Sequence, residues 1–225
     1  MRLVLATYNV HRCIGTDGRY DPRRIVAVLR ELDADVIALQ EVDSPAHHGL
    51  EVLEGIAKEL NLISIAGPTL LERKCHYGNA VLTKCTPTSV RLVDLSQHGR
   101  EPRGAIDLDI QCEREHLQVV AAHLGLKPSE RRIQVEKLLK HFGTKHCILM
   151  GDLNEWFLWG RPLRWIKAIF GHTPSLRTFP SRLPVLALDR IWVRPPGTLL
   201  EMTVHKTPLS LKASDHLPLK ATIEV

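Results

Sequence analysis

The stretch "ILMGDLNEW", Ile148–Trp156, begins as an apolar run and then sets a carboxylate, Asp152, and a carboxamide, Asn154, two residues apart. With the preceding "HC" the run has the length of a buried strand. A buried carboxylate without a partner is very costly. An acid at the end of such a strand is therefore exposed, paired or bound to a cation. Other apolar segments close in the same way: "TYNVH" with Asn9, "LQEV" with Glu41 and "AAHL" with His123. Asp189 in "ALDRI" and the pair Asp215–His216 in "ASDHLPL" complete the set. If these ends gather at one edge, they line a pocket with Glu, Asp, Asn and His.

Oxygen donors of this kind suit a hard cation, and magnesium uses one or two protein carboxylates while keeping waters and substrate phosphate oxygens. The five cysteines (Cys13, Cys75, Cys85, Cys112 and Cys147) are scattered, with no C-x-x-C pair, and there is no H-E-x-x-H pair, which disfavours zinc. They are expected to be mostly reduced core residues of a cytoplasmic protein. Histidines beside the cation can donate to phosphate oxygens as charge builds there. Phosphoester hydrolysis is the chemistry that fits.

The surrounding sequence supplies the frame. At 225 residues and 44% hydrophobic content, the expectation is one domain spanning 1–225. Asp21 and Pro22 open a helix carrying Ile25, Val28, Leu29 and Leu32. "DVIALQEV" (35–42) follows as a strand, and Leu50, Leu53, Ala57 and Leu60 mark a second helix. Between 61 and 124 the strand candidates are "LISIAG", "GNAVLT", "SVRLVDL", "GAIDLDIQC" and "LQVVAAHL", consecutive and so expected to pair antiparallel. Ser129 is expected to cap a third helix bearing Val135, Leu138, Leu139 and Phe142. After an irregular segment, "VLALDRIWV", "EMTVHKT" and "PLKATIEV" close the chain. Helices among many strands favour two packed sheets covered by helices. The N-terminal apolar run is too short for a signal peptide, and no apolar stretch approaches membrane-spanning length.

In this order, "TYNVH", "DVIALQEV", "HYGNAVLTK", "AAHL" with "ERRIQ", "LMGDLNEW", "LDRI" and "ASDHLPL" resemble the endonuclease/exonuclease/phosphatase superfamily, the group of pancreatic deoxyribonuclease and apurinic endonucleases. The resemblance implies an α/β four-layer α-β-β-α sandwich of two stacked mixed sheets, with the site at their common edge. It implies a hydrolase, a nuclease or other phosphodiesterase, using Mg²⁺ or Mn²⁺. Glu41 would be the principal metal ligand, with Asn9 beside it at the metal site, touching the metal-bound water or a phosphate oxygen, and Asp215 helping to position the metal or the water. Asp152 would deprotonate the attacking water and Asn154 would steady the phosphoryl group. His216, oriented by Asp189, and His123 would donate to the phosphate. His76 and Asn79 of "HYGNAVLTK" would contact substrate. Two departures stand out: His11 where apurinic endonucleases carry an acid, and His76 where they carry a tyrosine.

The segment 155–182 holds Trp156, Trp159 and Trp165, with Arg161, Arg164, Lys167, Arg177 and Arg182 against Glu155 alone, so it carries most of the chain's net charge of +5. Arg161, Arg164 and Lys167 are the candidate substrate grip. They suit nucleic acid by stacking and phosphate contact, or a phospholipid or small phosphodiester with peripheral contact to an anionic membrane. The competing reading is a non-catalytic module that binds anionic lipid or RNA.

Overall fold

The computed structural model describes residues 1–45, 51–72, 75–143 and 146–225. The chain runs β1 (Arg2–Asn9), α1 (Pro22–Leu32), β2 (Val36–Pro45), α2 (Glu51–Leu60), β3 (Ile63–Glu72), β4 (Cys75–Thr83), β5 (Thr86–Asp94), β6 (Gly104–Cys112) and β7 (Glu115–His123). It continues with α3 (Pro128–Leu138), β8 (Cys147–Asp152), α4 (Arg161–Phe170), β9 (Asp189–Arg194), β10 (Leu199–Val204), α5 (Ser210–Ala213) and β11 (Leu219–Glu224). One sheet has the order β10-β11-β1-β2-β4-β3 and the other β5-β6-β7-β8-β9. Both are mixed, since β1 and β2 run parallel, as do β7 and β8, while the other pairs are antiparallel.

The four layers follow from side chains that alternate across each strand. Leu3 and Leu5 of β1 meet Ile148 and Met150 of β8 and Val119 and Ala121 of β7 in the core between the sheets. Ala6 and Tyr8 face the opposite way, against Ile25 and Leu29 of α1 and Ile56 of α2. On the far side, Val120, Leu149 and Trp192 pack on Val135 of α3 and Leu163, Ile166 and Phe170 of α4. The same alternation carries one place further at each strand's end. Asn9, His123, Asp152 and Asp189 share the inward parity of Leu5, Ala121, Met150 and Ile191.

Several expectations are corrected. Lys127, not Ser129, precedes the first turn of α3, and its N–H donates to Glu130 Oε2 at 2.8 Å. Pro128 at the first helical position, where a missing N–H costs nothing, sets that start. The segment read as irregular contains α4, whose apolar side is buried. Asp189 opens its strand instead of lying inside it, because 185–188 runs as a loop. Cys85 and Cys112 form a disulfide joining the end of β4 to the end of β6. Such bonds persist in oxidising compartments, so these two depart from the mostly reduced state expected of the five, whereas Cys13 and Cys147 are buried outside any disulfide. Leu50 lies outside the described residues, as do the side chains of Cys75 and His76. No helix among the described residues is long and apolar enough to cross a membrane.

Gly151 precedes Asp152 at φ +147°, and a Cβ there would stand 1.8 Å from the Ala122 carbonyl oxygen of β7. Only glycine lets β8 lie this close to β7. Gly55, inside α2, has nothing within 4 Å of its Cβ position. Gly151→Ala is expected to destabilise the fold by more than about 3 kcal/mol, and Gly55→Ala to stabilise it by about 0.5–1 kcal/mol. Urea unfolding midpoints of the two variants measure both.

Candidate active site

The strand ends converge at one edge of the sandwich. Parallel pairing sets His123 opposite Asp152, and the antiparallel β8–β9 pair sets Asp152 opposite Asp189. Across the gap, Asn9 ends β1. Its Nδ2 donates to Asp152 Oδ2 at 3.0 Å and to Glu41 Oε1 at 3.1 Å, while its Oδ1 accepts from His11 N at 3.0 Å. One amide thus ties a carboxylate of its own sheet to one of the facing sheet.

Glu41 reaches this edge by breaking the alternation of β2. Leu39 pairs with Ala80 and Val42 with Gly78, so Gln40 and Glu41 together oppose Asn79. This is a β-bulge, which re-aims a side chain. Glu41 takes a left-handed φ of 57°, unusual for a residue with a Cβ. By simple alternation Glu41 would face α1 and α2. His11, Arg12 and Cys13 are left-handed too, folding the chain after Asn9 so that Arg12 lies over the Tyr77 ring, 4.7 Å from its centroid.

The two histidines have opposite partners. His216 Nδ1 stands 2.8 Å from Asp189 Oδ2, which also accepts from Thr178 Oγ1 at 2.5 Å. Burial opposes charge on this ring, but Asp189 and then Asp152 outweigh it and push His216 up to about 10. The two acids favour the imidazolium form of His216, whose Nε2 lies 3.8 Å from Asp152 Oδ2. His123 Nδ1 instead faces Arg103 at 3.1 Å. A guanidinium can only donate, so Nδ1 is an acceptor and the ring proton sits on Nε2, 3.6 Å from Asp152 Oδ2. The 3.2 Å approach of Asn154 Nδ2 to Nε2 is then a contact of two donors, and Nδ2 is satisfied by the Leu124 carbonyl at 2.9 Å. Burial, helped by the Arg103 charge and opposed by Asp152, holds His123 down at about 3. One histidine is a cationic donor and the other a neutral one.

The cleft above these groups measures about 420 Å³. Asn9, Glu41, Asp152, Asn154, His123 and His216 form its floor, and Tyr77, Leu126, Trp156 and Phe179 form part of its walls. Burial, with Glu41 adding, raises the Tyr77 phenol well above its usual range, leaving it a hydroxyl donor.

The endonuclease/exonuclease/phosphatase family model matches residues 6–216. The chain belongs to that family. It is 28% identical to the uncharacterized protein YbhP of Escherichia coli (strain K12), over 97% of this chain and 95% of that one. An endonuclease/exonuclease/phosphatase structure from Beutenbergia cavernae superposes with a TM-score of 0.80 at 19% identity, covering 100% of this chain and 72% of that chain. The human Nocturnin catalytic domain with bound sulfate anion superposes with a TM-score of 0.75 at 16% identity, covering 99% and 94%. At such identities these structures speak for the fold alone.

This member of the family brings Asn9, Glu41, His123, Asp152, Asn154, Asp189 and His216 together, and leaves other expected residues elsewhere. Asp215 is not among the residues lining the cleft, and its Oδ1 stands 3.7 Å from His11 Nδ1. Asn79 is buried and donates to the Gly104 carbonyl of the facing sheet at 2.7 Å, a tie between sheets and not a cleft contact. Arg161, Arg164 and Lys167 ride on α4 and none of them lines the cleft. The side chain of His76 is outside the described residues, and Tyr77 supplies the cleft's phenol. Arg103, Thr178 and Arg12 went unseen because a lone arginine or threonine in a loop carries no periodic signal, and Tyr77 of β4 was passed over for its neighbour His76.

The donor set fits a hard cation at Glu41. Among the described residues the Asn9 amide is its carboxylate's only hydrogen-bond partner, and Mg²⁺ needs few protein ligands. Asn9 supports that carboxylate through its nitrogen, its oxygen being engaged by His11. Asp152, Asp189 and His216 also lie close enough to share an ion, their ligand atoms being within 4.8 Å. In this trio Asp189 Oδ2 is already engaged by His216 Nδ1 and Thr178 Oγ1, so fewer of its donor atoms are open to an ion than at Glu41.

These charge states have a pH signature in the metal-free protein. The folded value of His216, about 10, lies above the ordinary 6.5, so its stabilisation is complete below pH 6.5 and is lost as pH rises toward 10. For His123 the folded value is about 3, so stability falls as pH drops below 6.5 toward 3. Imidazole ¹⁵N shifts should stay flat for both rings between about pH 5 and 8, with His216 charged and His123 in the neutral Nε2–H form. Shifts that show His123 charged and His216 neutral would reverse the assignment.

Proposed function

We propose that the protein is a Mg²⁺-dependent phosphodiesterase, in which Mn²⁺ can substitute, that hydrolyses a phosphate diester by in-line attack of a water activated by Asp152. The position of Asp152 carries this reading. Its carboxylate is buried, its Oδ1 accepts from Asn154 N at 2.9 Å, and its Oδ2 is held by Asn9 between the Nε2 atoms of two histidines. A carboxylate fixed in this way is poised to orient water and take its proton. As the water oxygen bonds to phosphorus, the ester oxygen departs, and the imidazolium of His216 can supply the proton it needs. Neutral His123 donates from Nε2 to a non-bridging oxygen, where charge accumulates. A divalent cation at Glu41, when bound, supplies Lewis-acid stabilisation of the phosphoryl oxygens. The sulfate on Nocturnin, a tetrahedral oxyanion like phosphate, is consistent with such a substrate.

Asp152→Asn should lower hydrolysis of bis-p-nitrophenyl phosphate by at least about 100-fold with an unchanged melting temperature. Glu41→Gln should raise the Mg²⁺ concentration needed for half-maximal rate. Full activity in Asp152→Asn would refute its role as base. A protein that binds anionic ligands but hydrolyses no diester with Mg²⁺ or Mn²⁺ would favour the binding-module reading.

A further inference from the structure

Directly after Asn154 the chain turns outward. Glu155 is buried against the fully buried Arg131, with Nε to Oε2 at 3.0 Å and Nη2 to Oε1 at 3.3 Å. Glu155 Oε1 also accepts from Phe157 N at 3.1 Å, and Gly160 N donates to the Phe157 carbonyl at 2.8 Å. The base of this loop is thus pinned to α3. Its tip presents four consecutive large apolar side chains to water: Trp156, Phe157, Leu158 and Trp159, exposed by 39%, 46%, 44% and 74%. By contrast, Leu163, Ile166 and Phe170 of the following helix are buried. The tip is apolar surface that the fold leaves open although a core lies next to it.

The same rim continues on two other loops. Leu126 lines the cleft beside Trp156 and is exposed. The loop that contributes Phe179, Leu186 and Leu188 to the cleft holds Leu183 and Val185 out in solvent. Each apolar knob has an exposed cation beside it in sequence: Lys127 after Leu126, Arg161 and Arg164 after Trp159, and Arg182 before Leu183. The nearby acids are paired: Glu155 with Arg131, and Glu101, which also lines the cleft, with Arg103.

Ring geometry separates the two anionic partners this chemistry could take. A platform for bases needs open, separated ring faces. Here Trp156 and Phe157 touch at 5.9 Å and 45°, Phe157 and Trp159 at 6.3 Å and 58°, and the Arg131 guanidinium covers Trp156 at 4.8 Å. Leu126, Leu158 and Leu183 have no stacking face at all. Mutually tilted rings and aliphatic knobs ringed by arginine and lysine match the boundary between anionic headgroups and acyl chains.

We propose that the rim formed by Leu126, Phe157, Leu158, Trp159, Leu183 and Val185 docks on an anionic phospholipid surface, with the catalytic cleft opening onto it. Docking is independent of the proposed hydrolysis. The consequence for substrate, that the cleft takes the phosphodiester of a membrane lipid headgroup, rests on that reading. Vesicles of phosphatidylglycerol and phosphatidylcholine should sediment the protein and shift its tryptophan emission to the blue, and pure phosphatidylcholine vesicles should do so much less. The double variant Phe157→Ser/Trp159→Ser should lose at least about tenfold in vesicle affinity while keeping its melting temperature and its rate on bis-p-nitrophenyl phosphate. Absence of binding to anionic vesicles, or equal binding by the variant, would overturn the proposal. So would single-stranded oligonucleotide binding that is stronger than vesicle binding and lost in the same variant. Vesicle binding by a protein inactive on every diester would sink the catalytic reading and leave the docking surface standing.

Discussion

The Asn9 carboxamide bridges the two sheets at the place where they must cooperate. Its nitrogen holds Glu41 and Asp152, two carboxylates that would otherwise repel across the gap. Its oxygen is fixed by His11, and its backbone carbonyl accepts from Ser214 Oγ at 2.8 Å. That last bond fastens the segment before β11 to the end of β1, two residues from His216. Glu41, Asp152 and the segment that carries His216 therefore share a single anchor. A buried amide with every polar atom satisfied can keep this geometry rigid.

Around that anchor the protein gives chemically identical rings different work. Asp189 stabilises the charged form of His216, whereas burial, helped by Arg103, excludes it from His123. Both rings are almost fully buried, so desolvation pushes them the same way, and the acids around His216 outweigh it whereas Asp152 beside His123 does not. A pair of this kind offers a phosphate one donor that can release a proton and one that only hydrogen-bonds. Arg103 is in turn held by Glu101 at 2.8 Å, so the polarity of the His123 side is built into the loop between β5 and β6.

The aromatic, basic segment divides its tasks at Gly160. Beyond it, Trp165 and Phe170 pack α4 onto the sheet. Before it, the loop exposes its rings beside the cleft. The buried Arg131–Glu155 bridge makes the division possible. In isolation such a pair adds little to stability, but here it determines where the chain leaves the core and which side chains stay outside.

Alternation of side chains along strands is a local property, and for that reason the sequence alone placed Asn9, His123 and Asp152 at the ends of apolar strands, while the resemblance of the ordered motifs to a known family implied the four-layer sandwich. The helical spacing of Ile25, Val28, Leu29 and Leu32 was legible for the same reason. Tertiary structure decided whatever depends on meeting across the fold. The bulge that turns Glu41 inward is set by its pairing with β4. The partner of His123 comes from a loop with no periodic pattern, and Cys85 finds Cys112 because two sheets stack. The basic residues of α4 show the converse, since composition marked them and none of them lines the cleft. Period and spacing report what a residue does relative to its neighbours in sequence, while charge state, ligation and exposure are fixed by neighbours in space.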